Sequence, residues 1–206
     1  MPNPSPADTL GNTTFTVVDV ETTGLDPNGG HRICEVALLR YRLGRVADTF
    51  ESLVNPQRPI SAGASVVNRL TDWHVADAPV FGQVAERVRL AMEDSVLVAH
   101  NAAFDMRFLQ LAEAELADPG VRFEQPVLDT LLLSAVVHPQ QDNHSLEAIA
   151  QRLNVTVLGR HTALGDAMVT AEVFMKMLPL LRDLGIETLG QALAASQETY
   201  LARVSY

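Results

Sequence analysis

FTVVDVETTGL, at residues 15–25, combines the pattern of a buried strand with two acidic residues near its end. It starts with an apolar, β-branched run that predicts a mostly buried strand, and it ends in a Thr-Thr-Gly turn. Asp19 and Glu21 are two positions apart, so both side chains project from the same face of that strand. Burying two carboxylates on an apolar segment is costly unless a cation or a donor compensates them. The stretch therefore predicts a metal-binding strand end, with an ordinary solvated strand end as the alternative.

The pattern outside this stretch predicts an α/β fold. Two further strands, at residues 32–42 and 46–54, complete a meander, and short strands follow at 95–100 and 126–128. The remaining apolar periodicity is helical, and the predicted helices span residues 64–70, 80–92, 102–115, 131–137, 145–153, 163–178 and 186–195. Asn101 is the expected cap of the third of these helices. This order of elements predicts a mixed sheet with helices on its faces.

Three further residues are candidates for the same site. Asp105 lies in HNAAFDMRFL at the start of a predicted helix, where an acid also has a simpler explanation, interaction with the helix dipole. Asp166 lies in RHTALGDA among small neighbours, and His161 stands on the lead-in to the same helix. Each segment ends a strand or begins a helix, where the edge of an α/β sheet collects functional groups.

Taken together, the four acids and the histidine indicate metal-dependent phosphodiester hydrolysis. Four carboxylates brought together without cations would repel each other, and some would take up protons. Ligation by oxygen alone favours Mg²⁺ or Mn²⁺ over zinc. A pair of such ions stabilises the attacking and leaving oxygens of a phosphoryl displacement. His161 is suited to take a proton from the attacking water because imidazole titrates near neutrality.

The composition is that of an ordinary globular chain with an unusual charge for a nucleic-acid enzyme. Of 206 residues, 47% are hydrophobic and 19% charged, and the net charge is −10. So acidic a chain is expected to bind long nucleic acid weakly. Lys176 is the only lysine, so phosphate contacts must come from arginines, backbone amides or metal. Cys34, the only cysteine, is expected to be a buried core thiol.

The motifs resemble those of the DEDDh group of 3′–5′ exonucleases, which have a ribonuclease-H-like fold. VVDVETTGLDP, LVAHNAAFD and HTALGDA match the three blocks of the group in order, and the resemblance covers roughly residues 15–178. It implies that Asp19, Glu21 and Asp166 hold a first metal ion. Asp19 then also contacts a second ion, with help from Asp105, and His161 is the general base in place of the tyrosine of the DEDDy branch.

The resemblance also implies residues that contact the substrate. Thr22 and Leu25 resemble positions that contact the terminal nucleotide, and Phe104 resembles a residue that packs on a base. Core packing is the alternative for Leu25 and Phe104. Asp129, in VLDT, is expected to cap a helix rather than to bind metal. Arg160 is expected either to meet a phosphate or to be solvated.

On this basis we expect a ribonuclease-H-like mixed five-stranded sheet flanked by helices. An exonuclease domain is predicted at residues 13–181, between a loose N-terminal leader at 1–12 and a C-terminal helical extension at 182–206, packed on or trailing the domain. No apolar run reaches the ~20 residues needed to cross a bilayer, so a cytoplasmic protein without membrane contact is expected.

The predicted activity is removal of nucleotides from the 3′ ends of single-stranded nucleic acid, DNA being the expected substrate, with two Mg²⁺ or Mn²⁺ ions. One alternative is a proofreading subunit tethered to a DNA polymerase, since tethering offsets weak intrinsic binding. Another is an exoribonuclease acting on short RNA. An inactive binding module is the remaining hypothesis, which the loss of any of the five site residues would have favoured.

Overall fold

The computed structural model describes residues 3–118 and 120–204 of the chain and contains a five-stranded mixed sheet. The strands are β1 (Phe15–Thr22), β2 (Ile33–Arg42), β3 (Arg45–Leu53), β4 (Val96–Ala99) and β5 (Val127–Asp129). Their order across the sheet is β3-β2-β1-β4-β5. The pairs β1–β2 and β2–β3 are antiparallel, whereas β4 is parallel to both β1 and β5. The predicted α/β fold is confirmed.

Eight helices connect and cover the strands in the described part of the chain. They are α1 (Ala62–Asn68), α2 (Asp72–Val75), α3 (Phe81–Met92), α4 (Ala103–Ala114), α5 (Thr130–Val137), α6 (Leu146–Arg152), α7 (Ala163–Asp183) and α8 (Leu189–Val204). A single 3₁₀ turn, Pro27–Gly29, follows β1. Among these described helices, none is both long enough and apolar enough to cross a bilayer.

Alternation along β1 gives each face of the sheet its own core and aims the acids toward α7. Phe15 and Val17 belong to the cluster that includes Phe174 of α7, whereas Val18 and Val20 belong to the cluster on the α3 and α4 side. With a period of two, the face of Phe15 and Val17 continues into the acidic positions at the end of the strand. The same hydrophobic pattern that buries β1 therefore positions the site.

Two C-terminal helices differ from the prediction. The helix predicted to end at residue 178 continues through Pro179 to Asp183, and Leu181 on its last turn is fully buried. Burial of this turn outweighs the hydrogen bond that a proline inside a helix removes. The last helix, predicted at 186–195, begins at Leu189 and runs to Val204. The apolar stripe that places Leu189 and Ala192 in the core continues to the buried Ser196.

The expected loose leader is wrong for the segment around residues 6–10. The Leu10 amide donates to the Glu187 carbonyl at 2.8 Å, and the Gly190 amide donates to the Pro6 carbonyl at 2.9 Å. An isolated bridge joins Thr9 to Thr188, and only 4% of Leu10 is exposed. These contacts hold the segment against the turn before α8. Polar composition alone did not reveal the one apolar anchor, Leu10.

The cap predicted at Asn101 is also wrong. Helix α4 begins at Ala103, and its N-cap, Ala102, makes no side-chain cap hydrogen bond. The amides of Asn101 and Ala102 instead donate to the Asp129 carboxylate, each at 3.0 Å. Asn101 adopts the left-handed conformation (φ 56°), which asparagine tolerates better than most residues. A side chain distant in sequence therefore replaces the local cap.

Candidate active site

Three carboxylates from two elements form the centre of the site. Asp19 and Glu21 lie at the end of β1, and Asp166 lies in the first turn of α7. One oxygen from each of the three can be chosen so that all lie within 4.8 Å of one another. Without cations, such proximity is electrostatically unfavourable. The structure therefore brings together three of the four acids predicted as metal ligands into one potential ligand set.

The fourth acid, Asp105, lies against the same strand but is outside that set. It is 4% exposed in the first turn of α4, and its Oδ1 accepts a hydrogen bond from the Val20 amide at 3.1 Å. Val20 lies between Asp19 and Glu21 in the sequence, so this bond holds the Asp105 carboxylate near both acids. The helix-dipole explanation alone does not account for a contact with β1. Asp105 is thus placed beside the acid cluster, where a second ion would need a ligand.

The start of α7 is held by a tight turn that requires glycine. Thr162 caps the helix by accepting from the Gly165 amide at 3.1 Å, and its hydroxyl donates to the Gly159 carbonyl at 2.8 Å. A Cβ at Gly165 would lie 1.8 Å from the Gly159 carbonyl oxygen, so no larger residue fits there without a shift. This close approach fixes the position of Asp166 relative to the preceding loop.

His161 lies on the lead-in to α7, as the sequence predicted. Its backbone is left-handed (φ 66°), and its amide donates to Asp166 Oδ1 at 3.4 Å. Few residues other than glycine adopt this conformation, although histidine is among the types that adopt it more often than most. The histidine lines the same cleft as the acids. Its role as a general base stays a prediction.

Arg160 is not the solvated arginine that was one of its two expected roles, and its contact with a phosphate stays a prediction. Its guanidinium forms ion pairs with Asp166 and with Glu147 of α6, and 21% of its side chain is exposed. Its charge lowers the pKa of both Asp19 and Glu21, against the larger opposing effect of burial. In this structure, Arg160 supplies positive charge to the acid cluster.

Three acids of the cluster have raised pKa values even though Arg160 lies beside them. Burial is the main cause that raises the pKa of Asp19 well above its usual value, and Asp105, Asp166 and Glu21 raise it further. Burial, followed by Asp166, raises the pKa of Glu21 to about 7. Burial likewise raises the pKa of Asp105 to about 8. Bound cations would stabilise the ionised form of these acids, and carboxylate oxygens are ligands that suit Mg²⁺ or Mn²⁺.

Two residues that support the site were not predicted. Glu35 of β2 pairs in register with Glu21, is 7% exposed, and accepts a hydrogen bond from the Ala163 amide at 2.8 Å. This bond anchors the first residue of α7 to the sheet. Asn68, at the end of α1, is 3% exposed and donates to the Thr22 carbonyl at 3.2 Å. A single acid inside the apolar run ICEVALL was the available signal for Glu35, whereas no sequence signal distinguished Asn68.

All eight residues predicted for the site line one cleft of about 840 Å³. Leu25 is 81% exposed at the cleft, so the core-packing alternative is wrong for it. Phe104 does both: it packs on Phe108 with ring centroids 5.0 Å apart, and it also lines the cleft. Thr22 is 6% exposed, and its hydroxyl donates to the Gly24 carbonyl at 2.7 Å. Substrate contact by these three residues stays a prediction.

Asp129 is a helix cap, as predicted. Its Oδ1 accepts from the Leu131 amide at 2.8 Å at the start of α5, and it is absent from the residues that line the cleft. With the two amides at 101 and 102, its carboxylate joins β5, α5 and α4. The residue is structural.

Comparison with known proteins identifies the family. The family model described as "RNase_T: Exonuclease" matches residues 16–174, which is most of the chain. The chain belongs to this exonuclease family. The resemblance predicted from VVDVETTGLDP, LVAHNAAFD and HTALGDA is thereby confirmed, and the chain contains an exonuclease domain.

Among relatives of this exonuclease-family chain, a "DNA polymerase III subunit epsilon-like protein" from Rhodobacter capsulatus is 46% identical over 89% of the chain. A "DNA polymerase III PolC-type" from Bacillus subtilis is 36% identical over 84% of it. The match spans only 26% and 12% of those two relatives, respectively.

The solved structures agree with the fold. Exonuclease X, in complex with 5′ overhanging duplex DNA, superposes with a TM-score of 0.68 at 27% identity, and the match covers 88% of this chain and 99% of that one. The nuclease domain of 3′hExo, a DEDDh family member bound to rAMP, has a TM-score of 0.71 at 19% identity, with 84% and 94% covered. The second likeness supports the ribonuclease-H-like fold alone.

Proposed function

We propose that this chain is a 3′–5′ exonuclease that removes nucleotides from the ends of single-stranded nucleic acid, with DNA as the preferred substrate. The observation that carries this proposal is the convergence of three distant segments in one cleft. Asp19 and Glu21 come from β1, Asp105 from α4, and His161 with Asp166 from the start of α7. Membership of the exonuclease family and the raised pKa values of the acids support it.

The four acids are the residues that would hold two Mg²⁺ or Mn²⁺ ions. Asp19, Glu21 and Asp166 are close enough to share one ion, and Asp105 is beside Asp19 for a second. When bound, such ions stabilise negative charge on the attacking and leaving oxygens of a phosphoryl displacement. Glu35 holds the start of α7 against the sheet, and Thr162 caps the first turn of α7, which carries Asp166.

The remaining cleft residues are proposed to orient the substrate and to accept a proton from the attacking water. His161 is proposed to accept a proton from the attacking water on an imidazole nitrogen. Leu25, exposed at the cleft, is proposed to wedge against the terminal base, and the Phe104 ring to pack on a base face. Backbone groups at Thr22 would contact the terminal nucleotide. Together these contacts would present the last phosphodiester bond to the acid cluster.

A parallel digestion tests the proposed substrate. Matched single-stranded DNA, duplex DNA and RNA would each be incubated with the protein under Mg²⁺ and under Mn²⁺. We expect the single-stranded DNA to be shortened fastest. Faster shortening of the RNA would favour the exoribonuclease alternative, and no shortening of any polymer under either ion would contradict the proposal.

Proofreading is a second candidate function, and the epsilon-like relative from Rhodobacter capsulatus is the observation that favours it. In this role a DNA polymerase would be the partner, and tethering would replace intrinsic affinity with effective concentration. A large rate increase on a mismatched primer when the polymerase is added would support the role. An unchanged rate, with no co-purification of the two proteins, would contradict it.

A further inference from the structure

Arg58, between β3 and α1, is a half-buried cation for which the described residues provide no acceptor. Its Nε is buried without a hydrogen-bond partner, and its guanidinium forms no hydrogen bond or ion pair within residues 3–118 and 120–204. Buried polar groups in folded proteins are almost always satisfied. A guanidinium stays charged, and four of its five donors are on the two Nη atoms, so an anion is the partner expected for those atoms.

The backbone makes room for this guanidinium at Gly30. A Cβ built on Gly30 would lie 3.1 Å from Arg58 Nη1, which is tighter than ordinary van der Waals contact. Gly30 also has a left-handed backbone (φ 81°), so glycine suits the position for two reasons. The Arg58 side chain is therefore held against the turn that follows β1.

That turn forms one wall of the candidate active site. Asp26 and His31, on either side of Gly30, line the cleft, as does Ser61, three residues after Arg58. The Ser61 amide donates to the Thr23 carbonyl at 3.2 Å, which ties the segment after Arg58 to the same turn. The guanidinium thus lies at the edge of the wall that carries Leu25.

The cleft otherwise has little cationic charge to offer a nucleic acid. Arg160 is the single arginine or lysine among the described residues that line it, and both Asp166 and Glu147 already pair with that arginine. Arg32, near the same turn, pairs with Glu115. Arg58, near this wall, has no carboxylate partner among the described residues.

We propose that Arg58 binds a backbone phosphate of the substrate strand, upstream of the nucleotide being removed. The Nη donors of a guanidinium match phosphate oxygens, and such contacts fix the register of a strand without reading its sequence. This inference rests on the proposed exonuclease function and extends it. Arg58 would act in binding and not in the chemical step, so it would affect KM for a polymer more than kcat.

The test compares Arg58→Ala and Arg58→Lys with Arg45→Ala. Arg45 is exposed at the β2–β3 hairpin, at the opposite end of β1 from Glu21, and so serves as a charge-matched control. Each variant would be assayed with Mn²⁺ on a single-stranded oligonucleotide and on the p-nitrophenyl ester of thymidine 5′-phosphate, which has no upstream phosphate. The salt dependence of kcat/KM and the melting temperature would be measured for each.

For Arg58→Ala we expect kcat/KM on the oligonucleotide to fall about tenfold relative to kcat/KM on the ester, mainly through KM. The slope of log kcat/KM against log salt should become shallower by about 0.7, the value for one phosphate contact on a single strand. Arg58→Lys should keep the parent slope because it keeps the charge. Arg45→Ala should keep both the parent slope and the parent ratio.

Two results would overturn the inference. The first is an Arg58→Ala variant whose salt slope and substrate ratio equal those of Arg45→Ala. The second is an equal loss on both substrates together with a lower melting temperature, since that pattern shows a structural role. A parent protein that cleaves neither substrate would overturn the proposed function, and this inference with it. A parent that cleaves both leaves the comparison of variants to decide the inference alone.

Discussion

Glu21 and Asp105 are acids with raised pKa values. We therefore expect the stability of the metal-free protein to depend on pH. Burial raises these values to about 7 and about 8. An acid whose pKa is higher in the folded state stabilises the fold while it is protonated. That contribution is complete below the unfolded pKa of about 4 and is lost as the pH rises through the folded value.

We therefore expect the melting temperature of the metal-free protein to fall between pH about 5 and pH about 8.5. Asp105→Asn should reduce the fall, because an amide oxygen still accepts from the Val20 amide but carries no charge. Excess Mn²⁺ should also reduce it. Thermal melts over this range, in chelator and in Mn²⁺, measure the effect. A melting temperature that stays level or rises in chelator would contradict the account.

Replacing His161 should reduce the rate of catalysis and leave metal binding unchanged. His161→Ala should reduce kcat by roughly 10²–10⁴-fold, the usual contribution of a positioned proton acceptor, while Mn²⁺ binding persists. His74→Ala is the control, since His74 is exposed on α2 and does not line the cleft. Steady-state kinetics and calorimetry would be measured on both. Parent-like turnover by the His161 variant across pH about 6–9 would remove the histidine from the mechanism.

Among single residues, strand periodicity and the recognisable motifs together predicted the candidate site residues. Asp19 and Glu21 were readable because they continue the alternation of a buried strand. Glu35 and Asn68 were not, because their roles depend on partners on other elements, the Ala163 amide and the Thr22 carbonyl. The ion pairs of Arg160 were missed for the same reason.

Among the elements, the turn before α7 leaves no room for a larger side chain at Gly165. Gly165→Ala would place a methyl group 1.8 Å from the Gly159 carbonyl and force the loop that carries His161 to move. We expect a loss of stability of about 1–3 kcal/mol or more, with a large loss of activity. Gly11→Ala is the control because no atom lies within 4 Å of its Cβ. Denaturant unfolding measures both, and equal effects would contradict this packing.

Asp129 has a structural role, so its removal should lower stability and leave metal binding unchanged. Asp129→Ala removes the cap of α5 and leaves the amides of Asn101 and Ala102 without their acceptor. The expected cost is about 2–3 kcal/mol of unfolding free energy. Mn²⁺ affinity, measured at a temperature where the variant is folded, should match the parent. Loss of metal binding by the folded variant would place Asp129 in the site after all.

The apolar periodicity of the sequence predicted where the long helices lie better than it predicted where they begin and end. Each long helix was predicted from its apolar stripe, yet α7 continues past Pro179 because Leu181 packs in the core. Helix α4 starts without the local cap that Asn101 was expected to provide. In both cases tertiary contacts overrode a local sequence rule.

The whole molecule is acidic, and its site is acidic as well, so long-range attraction to nucleic acid should be weak. With a net charge of −10, few counterions are released when the chain binds a strand. We expect low affinity for long single-stranded DNA with a shallow salt dependence, and a rate on primer ends that rises when the chain is tethered to a polymerase. Fluorescence anisotropy at several salt concentrations measures the first. A steep slope, such as strongly basic proteins show, would contradict it.

Acids from three distant segments are proposed to act together to shorten a strand from its 3′ end. A time course on 5′-labelled single-stranded DNA with Mn²⁺ tests it most directly, with Asp19→Asn as the inactive control. We expect a ladder of progressively shorter labelled strands for the parent and an intact strand for the folded variant. Immediate release of the labelled 5′ nucleotide, internal cleavage, or an equal ladder from the variant would contradict it.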